Sequence, residues 1–105
     1  MTRAILPRMA RPKRCTPEEL IQLARRVPLW NATPERLRRE WKFADFGSAF
    51  AFMTRVAFLA EKADHHPDWS NAYSRVTIEL KTHDAGGVTA LDFGLAEEID
   101  RLGSP

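Results

Sequence analysis

The feature that most constrains the fold is the alternation of two hydrophobic periodicities along this 105-residue chain. Apolar residues recur at every second position in Arg36–Phe43 and Val76–Thr82, which predicts strands. They recur at helical spacing in the segments that begin after Thr16, after Asp45 or Ser48, and after Thr89. Each of these four residues can cap a helix. Helices and strands therefore alternate in short units, which excludes an all-helical or all-strand fold.

The predicted elements form one α+β domain in the order α-β-β-α-β-β-α. In chain order they are a helix that Pro28 stops, a short strand Leu29–Asn31, a strand Arg36–Phe43, a helix that ends near His65, strands Trp69–Tyr73 and Val76–Thr82 joined at Ser74-Arg75, and a helix Ala90–Leu102 closed by Gly103. Hairpins between helices favour a four-stranded antiparallel sheet with three helices packed on one face. The other face would then be open or covered by a partner.

One charged residue and the large aromatic residues test this interpretation. Arg39 falls on the apolar side of its strand, which is tolerable near a strand end or at a sheet edge. The large aromatic residues are expected in the core: Trp30, Trp41, Phe46, Phe50, Phe52 and Phe58.

Charge is concentrated at the N-terminus. Residues 1–14 hold five of the 16 basic residues and no acid, so 11 basic residues face 14 acidic ones in the remainder. We therefore expect residues 1–14 to be a basic extension, disordered or resembling a transit peptide, and 15–105 to be the single domain. Because the domain itself is slightly acidic, direct nucleic-acid binding is disfavoured.

Other classes are excluded by composition. The single cysteine, Cys15, allows no intrachain disulfide. No apolar run approaches the roughly 20 residues that cross a bilayer, so we expect a cytoplasmic protein without a membrane partner.

The stretch EKADHHPDW, Glu61–Trp69, holds the most specific candidate chemistry. His65 and His66 follow a helix, and His83 follows a strand, so all three imidazoles could meet at one rim of the sheet. Imidazole gives and takes protons near neutral pH, which suits the elimination of water. The alternatives are solvated loop histidines, or a metal site formed with Glu61 or Asp84. Adjacent histidines rarely bind one ion and no HExxH motif is present, so we predict no metal.

The segment EKADHHPDWSNAYSRVTIELKTHDAGGVTALDFGLA resembles the pterin-4a-carbinolamine dehydratase family. That family's pattern is an acidic or polar residue, three spacers, His-His-Pro, five spacers, an aromatic, nine spacers, His, and Asp after at least eight more. It is met by Glu61, His65-His66-Pro67, Tyr73, His83 and Asp92. With the similar segments Thr16–Trp30 and Phe43–Lys62, the resemblance covers about nine-tenths of the chain.

The resemblance implies a 4a-hydroxytetrahydrobiopterin dehydratase that needs no metal or organic cofactor. Such an enzyme removes water to give quinonoid dihydropterin, in recycling of the pterin of aromatic amino acid hydroxylases. It also implies a homodimer or homotetramer, and the same fold as the pattern predicts.

The resemblance further implies roles for individual residues. His65 and His83 would act as acids towards the C4a hydroxyl, and His66 would bind the pterin and help remove the N5 proton. The expected supporting residues are Glu61 and Asp64, which would orient imidazoles or bind the ring, Trp69, which would line the pocket, and Asp92, which would lie behind the catalytic groups.

Two other functions remain open at this point. Some relatives act as dimeric coactivators of a transcription factor, which would make the chain a non-catalytic binding module. The other alternative is a related role in different pterin-type cofactor metabolism.

Overall fold

A computed structural model describes residues 12–103 of the chain. Its elements are α1 (Pro17–Ala24), β1 (Asn31–Ala32), β2 (Leu37–Lys42), α2 (Phe46–Ala63), β3 (Asp68–Ala72), β4 (Arg75–Leu80), a 3-10 turn (His83–Ala85) and α3 (Ala90–Asp100). The strands form one antiparallel sheet in the order β1-β2-β4-β3. The predicted α+β class and element order are confirmed.

Local capping chemistry sets where the three α-helices begin. Thr16 and Thr89 each form a capping box with an acidic residue three positions on, Glu19 and Asp92. At α2, Asp45 rather than Ser48 is the cap, and its carboxylate accepts the backbone N–H of Ser48 at 2.7 Å. This hydrogen bond lowers the pKa of Asp45, because it stabilises the ionised form.

The predicted boundaries move by a few residues. β1 lies at Asn31–Ala32 and not at Leu29–Asn31, and α1 ends at Ala24, ahead of Pro28. The β3–β4 turn is centred on Tyr73 and Ser74 and not on Ser74-Arg75. Tyr73 takes the left-handed conformation (φ 53°) that this tight turn requires.

The core lies between one sheet face and the helices. β4 contributes Val76, Ile78 and Leu80, all fully buried, and α2 contributes Ala49, Phe52, Val56 and Ala60. The opposite sheet face carries charged residues in close pairs, with Arg38 3.8 Å from Glu79 and Lys81 3.7 Å from Asp68. This face is therefore polar and needs no apolar cover.

The prediction that all six large aromatics belong to the core is wrong for three of them. Trp30, Trp41 and Phe52 are buried, whereas Phe46, Phe50 and Phe58 are 48%, 56% and 71% exposed on α2. The apolar residues of α2 extend around more of the helix than the sheet can cover, so part of the stripe stays in solvent.

Arg39 lies on the helix side of the sheet, in the middle of β2, and its guanidinium is paired. Its Nη1 donates to Asp100 at 2.6 Å, and the Trp30 indole N–H donates to the same carboxylate oxygen at 2.8 Å. The guanidinium also stacks 4.6 Å from the Trp41 ring centroid. The charge is tolerated because it ties β2 to the end of α3. In addition, β1 pairs with β2 only at Leu37 and Arg38, so β2 lies at the sheet edge from Arg39 on, as the sequence predicts.

Candidate active site

The end of α2 turns the chain so that both neighbouring histidines can be used. Asp64 caps the helix in the left-handed conformation (φ 51°), and Pro67 keeps the following residues out of a helix. His65 then turns inward, with its side chain 11% exposed, while His66 stays 57% exposed. The predicted placement of both residues just past the helix is confirmed.

His65 is held by a fully buried carboxylate. Its Nε2 lies 2.5 Å from Oδ1 of Asp92, in the first turn of α3. The other carboxylate oxygen, Oδ2, accepts the Thr82 hydroxyl at 2.8 Å and the Thr89 backbone N–H at 2.9 Å. Three donors can therefore satisfy Asp92 without a proton of its own, which puts the His65 proton on Nε2 and leaves Nδ1 outside this contact.

Two threonines complete the buried network and were not expected from the sequence. The Thr82 and Thr89 hydroxyls lie 2.8 Å apart. Because Thr82 donates its proton to Asp92, Thr89 must donate to Thr82. A threonine at the end of a strand or before a helix is common, so the sequence holds no signal for this role beyond the capping position of Thr89.

His66 has a different carboxylate partner. Its Nε2 lies 2.7 Å from Oε1 of Glu61, one turn back on α2, and the Glu61 side chain is 71% exposed. The two adjacent imidazoles thus have separate partners in different environments, one buried and one in solvent. Different surroundings are what allow two titratable groups to do different work.

His83 begins the 3-10 turn that follows β4, and it lines a cavity of about 330 Å³. It adjoins Thr82 in the chain, so the network around Asp92 connects the His65 and His83 regions. Gly87, in the same loop, closes it with an isolated bridge to Thr82. A Cβ at Gly87 would lie 2.5 Å from the Pro34 carbonyl oxygen, so only glycine fits without a shift.

The remaining predicted residues are placed less centrally. Asp64 is exposed at the helix end. Trp69 pairs with Ile78 on the helix side of the sheet, is 37% exposed, and is not among the residues that line the cavity beside His83. Tyr73, the aromatic of the motif, is 69% exposed at the β3–β4 turn.

Residues 12–103 contain neither a metal-binding cluster nor a membrane-spanning helix. No group of three or more His, Cys, Asp or Glu side chains there could hold a metal ion. Within the same residues, no helix combines the length and apolarity that crossing a membrane requires.

Comparison with known proteins decides the family. The family pattern described as Pterin 4 alpha carbinolamine dehydratase matches residues 13–102. The chain belongs to this family. The predicted resemblance is confirmed, and the pairs His65–Asp92 and His66–Glu61 lie inside the matched region.

Relatives and solved structures agree with the assignment. A protein of Synechococcus sp. (strain WH7803), named "Putative pterin-4-alpha-carbinolamine dehydratase", is 58% identical over 80 residues, or 76% of this chain and 86% of that protein. A protein of the same name from Prochlorococcus marinus (strain MIT 9303) is 53% identical over 87 residues, 83% of this chain and 91% of that one.

Two solved structures share the fold of this family member. One is the transcriptional coactivator/pterin dehydratase of Brucella melitensis, with a TM-score of 0.81, 41% identity and coverage of 86% of this chain and 98% of that chain. A pterin dehydratase-like protein described as a RuBisCO assembly factor in the alpha-carboxysome has a TM-score of 0.59 over 72% of this chain and 89% of its own. At 24% identity, the second structure supports the fold alone.

Proposed function

We propose that this chain is a dehydratase that removes water from a 4a-hydroxytetrahydropterin, such as 4a-hydroxytetrahydrobiopterin, and gives the quinonoid dihydropterin. The observation that supports it most is the pair of adjacent imidazoles, His65 and His66, each with its own carboxylate partner. His83 lines a cavity in the part of the fold that the Asp92 network joins to His65. Such a set suits the elimination of water, in which one proton is given to the leaving hydroxyl and another is removed from the substrate.

The reaction balances with one acid and one base. An imidazolium protonates the C4a hydroxyl, the C4a–O bond breaks, and water leaves. A second imidazole removes the N5 proton, and that electron pair forms the C4a=N5 bond. No electron is gained or lost overall, so this step needs no oxidant or reductant.

The surroundings of the histidines suggest how the work is divided. Asp92 holds His65 through Nε2 and leaves Nδ1 available, so we assign His65, together with His83, as the acid towards the departing hydroxyl. His66 lies in solvent beside Glu61 and can pass the N5 proton to water. Asp64 and Trp69 flank this pair in the chain, and we assign them to pterin binding. A functional link to an aromatic amino acid hydroxylase, which forms the substrate, belongs to the same proposal.

The test is a dehydration assay with 4a-hydroxytetrahydrobiopterin generated by a phenylalanine hydroxylase. Quinonoid product is followed by absorbance with the wild type, His65→Ala and His66→Ala. Loss of an acid–base group should lower the catalysed rate about 100- to 10,000-fold. His66→Ala is the cleaner variant, because the side chain is exposed and its removal leaves no buried cavity.

The dehydration rates of Glu61→Gln and Glu98→Gln test whether the carboxylate beside His66 contributes to catalysis. Both carboxylates are exposed, but Glu98 lies on α3 and pairs with Arg101. Since exposed ion pairs contribute at most about 1 kcal/mol, Glu61→Gln should slow the reaction about fivefold or less, and Glu98→Gln not at all. A wild-type rate equal to the uncatalysed background would reject the dehydratase function for this pterin.

We also propose that the chain forms a homo-oligomer through the exposed aromatic residues of α2. Phe46 and Phe50 contact each other, with ring centroids 5.8 Å apart, and Phe58 continues the stripe two turns on. Large apolar side chains that remain exposed side by side mark interaction surfaces. Sedimentation velocity should show a dimer or tetramer for the wild type and a smaller species for Phe50→Ser. An unchanged sedimentation coefficient in that variant would move the interface elsewhere.

The same stripe is the observation that favours a non-catalytic binding role as the second candidate function. The two candidates differ in their need for the histidines. His66→Ala should abolish dehydration without changing assembly, and Phe50→Ser should change assembly first.

A further inference from the structure

The cavity beside His83 is lined by charged side chains that have no part in the proposed proton transfers. Its walls come from the residues just before β2, from those just after β4, and from His83, Gly86 and Gly87 of the following loop. At about 330 Å³ it is at the lower end of small-molecule sites, which matches a bicyclic ring or its substituent. Arg36, Lys81 and Glu35 are the charged residues among those that line it.

The two cations lie side by side. Leu37 of β2 pairs with Leu80 of β4, and Arg36 and Lys81 immediately flank this pair, just before β2 and just after β4. Each cation has one acidic partner within ion-pair range: Arg36 Nε is 3.7 Å from Glu79, and Lys81 Nζ is 3.7 Å from Asp68. Both pairs are partly exposed and their separations exceed hydrogen-bond distances, so the cations can exchange them for a ligand at little cost.

The acid that lines the cavity is already directed towards another cation. Glu35 is 73% exposed and lies 3.9 Å from Arg14. Glu79 and Asp68 are on the open sheet face and do not line the cavity. Two of the three charged side chains that line the cavity, Arg36 and Lys81, are therefore basic.

The Arg36 guanidinium also has an unmet hydrogen bond. Its Nη1 is buried and has no hydrogen-bond partner among the described residues. The side chain as a whole is 33% exposed, so the guanidinium can turn towards a ligand oxygen and give this N–H an acceptor. Guanidinium pairs particularly well with carboxylate and phosphate, whose two oxygens match its fork of donors.

We propose that this cavity binds the C6 substituent of the pterin, and that Arg36 and Lys81 select substrates whose substituent carries a carboxylate or a phosphate. This inference rests on the proposed function. In a pterin, C6 is bonded to N5, and N5 is bonded to the reacting C4a. A substrate with C4a at His83 therefore begins its substituent next to the cavity. Arg36 and Lys81 act on specificity and not on the proton transfers.

Binding of two stable oxidised pterins tests the proposal without any turnover. Pterin-6-carboxylate and 6-hydroxymethylpterin have the same ring and nearly the same size, and differ in one charge. Titrations followed by pterin fluorescence at low salt should give about tenfold tighter binding of the carboxylate to the wild type. Added salt should reduce this preference, because it screens the charges.

Lys81→Gln and Arg36→Gln should each weaken binding of the carboxylate about threefold to tenfold, and leave 6-hydroxymethylpterin unaffected. Lys42→Gln is the matched control, since Lys42 is an exposed cation at the opposite end of β2. It should change neither affinity. Circular dichroism tests whether each variant is folded. If Arg36→Gln does not fold, Lys81→Gln alone tests whether these cations select the carboxylate.

Equal wild-type affinities for the two pterins, or variants that keep the preference, would overturn the anionic subsite while leaving the dehydratase proposal intact. If neither pterin binds the wild type, the subsite is refuted. The dehydration assay then decides independently whether the proposed function falls with it. A phosphate-bearing pterin that competes with the carboxylate would extend the selected class to phosphates.

Discussion

Thr82→Val is the sharpest test of how the site is built. Valine keeps the shape and volume of threonine but removes the hydroxyl that donates to Asp92 at 2.8 Å and accepts from Thr89 at 2.8 Å. Asp92 keeps only the Thr89 backbone N–H on Oδ2, and the Thr89 hydroxyl loses its acceptor. All three residues are at most 8% exposed, so water cannot readily replace the lost bonds.

The magnitude follows from the kinds of bond that are lost. A hydrogen bond to a charged group contributes about 1.5–3 kcal/mol, and a buried hydroxyl left without a partner adds to the cost. We therefore expect the free energy of unfolding to fall by about 2–4 kcal/mol. For a domain of this size, this corresponds to a melting temperature lower by roughly 10–20 °C.

Urea denaturation followed by circular dichroism measures the change, with two comparison variants. Thr82→Ser keeps the hydroxyl and loses one methyl group, which should cost about 1 kcal/mol. Thr54→Val alters an exposed α2 hydroxyl that bonds to its own helix, and should stay within about 0.5 kcal/mol of wild type. If Thr82→Val is no less stable than Thr82→Ser, the hydroxyl does not hold the carboxylate and the network is wrong.

The same variant separates positioning from mere stability. Without the Thr82 hydroxyl, Asp92 loses one of the two donors on Oδ2, so its carboxylate is held less firmly against His65. The dehydration rate of folded Thr82→Val should fall and that of Thr82→Ser should not. In nitrogen-detected NMR spectra, the wild-type His65 should carry its proton on Nε2, and this preference should weaken in Thr82→Val. An unchanged His65 spectrum would limit Thr82 to a structural role.

Three further predictions concern regions outside the histidines. Asp100→Ala removes the shared acceptor of Trp30 and Arg39, and should lower the free energy of unfolding by about 2–3 kcal/mol in a urea titration. A loss below about 0.5 kcal/mol, the size of a neutral surface change, would contradict this. The lowered pKa of Asp45 means that its stabilisation is present at neutral pH and is lost as the pH falls through its folded-state value. The stability difference between wild type and Asp45→Asn should therefore shrink below pH 3.8, and a difference that persists in strong acid would argue against the charge of Asp45 as its source. Burial raises the pKa of the Cys15 thiol, and nearby carboxylates add to the effect. Alkylation by iodoacetamide should therefore reach half its maximal rate above pH 9.0 in the folded protein. A midpoint at or below that of the urea-unfolded chain would refute this prediction.

Local patterns carried much of the fold. The period-two segments located β2 and β4 to within two residues, because alternate side chains must face one core. Cap residues located the starts of the helices, because a side-chain oxygen there satisfies a backbone N–H a few positions away. The adjacent histidines at the end of α2 followed from the same local rules.

Contacts between distant parts of the chain could not be derived in this way. His65 and Asp92 are 27 positions apart, and Arg39 and Asp100 are 61 apart. The motif of the family pointed to Asp92, but nothing in the sequence indicated that Thr82 would share its carboxylate. The apolar residues of α2 surround most of the helix, so their helical spacing wrongly placed Phe50 in the core.

Residues near one another in the chain specify the α+β class, the element order and the histidine motif of the family, because each of these depends on local spacing and side-chain chemistry. The tertiary structure decided which histidine is held by a buried carboxylate, which face of α2 is exposed, and which cations line the cavity beside His83. Those outcomes depend on how the sheet and helices close around a common core, where burial, and not sequence separation, selects each side chain's partners.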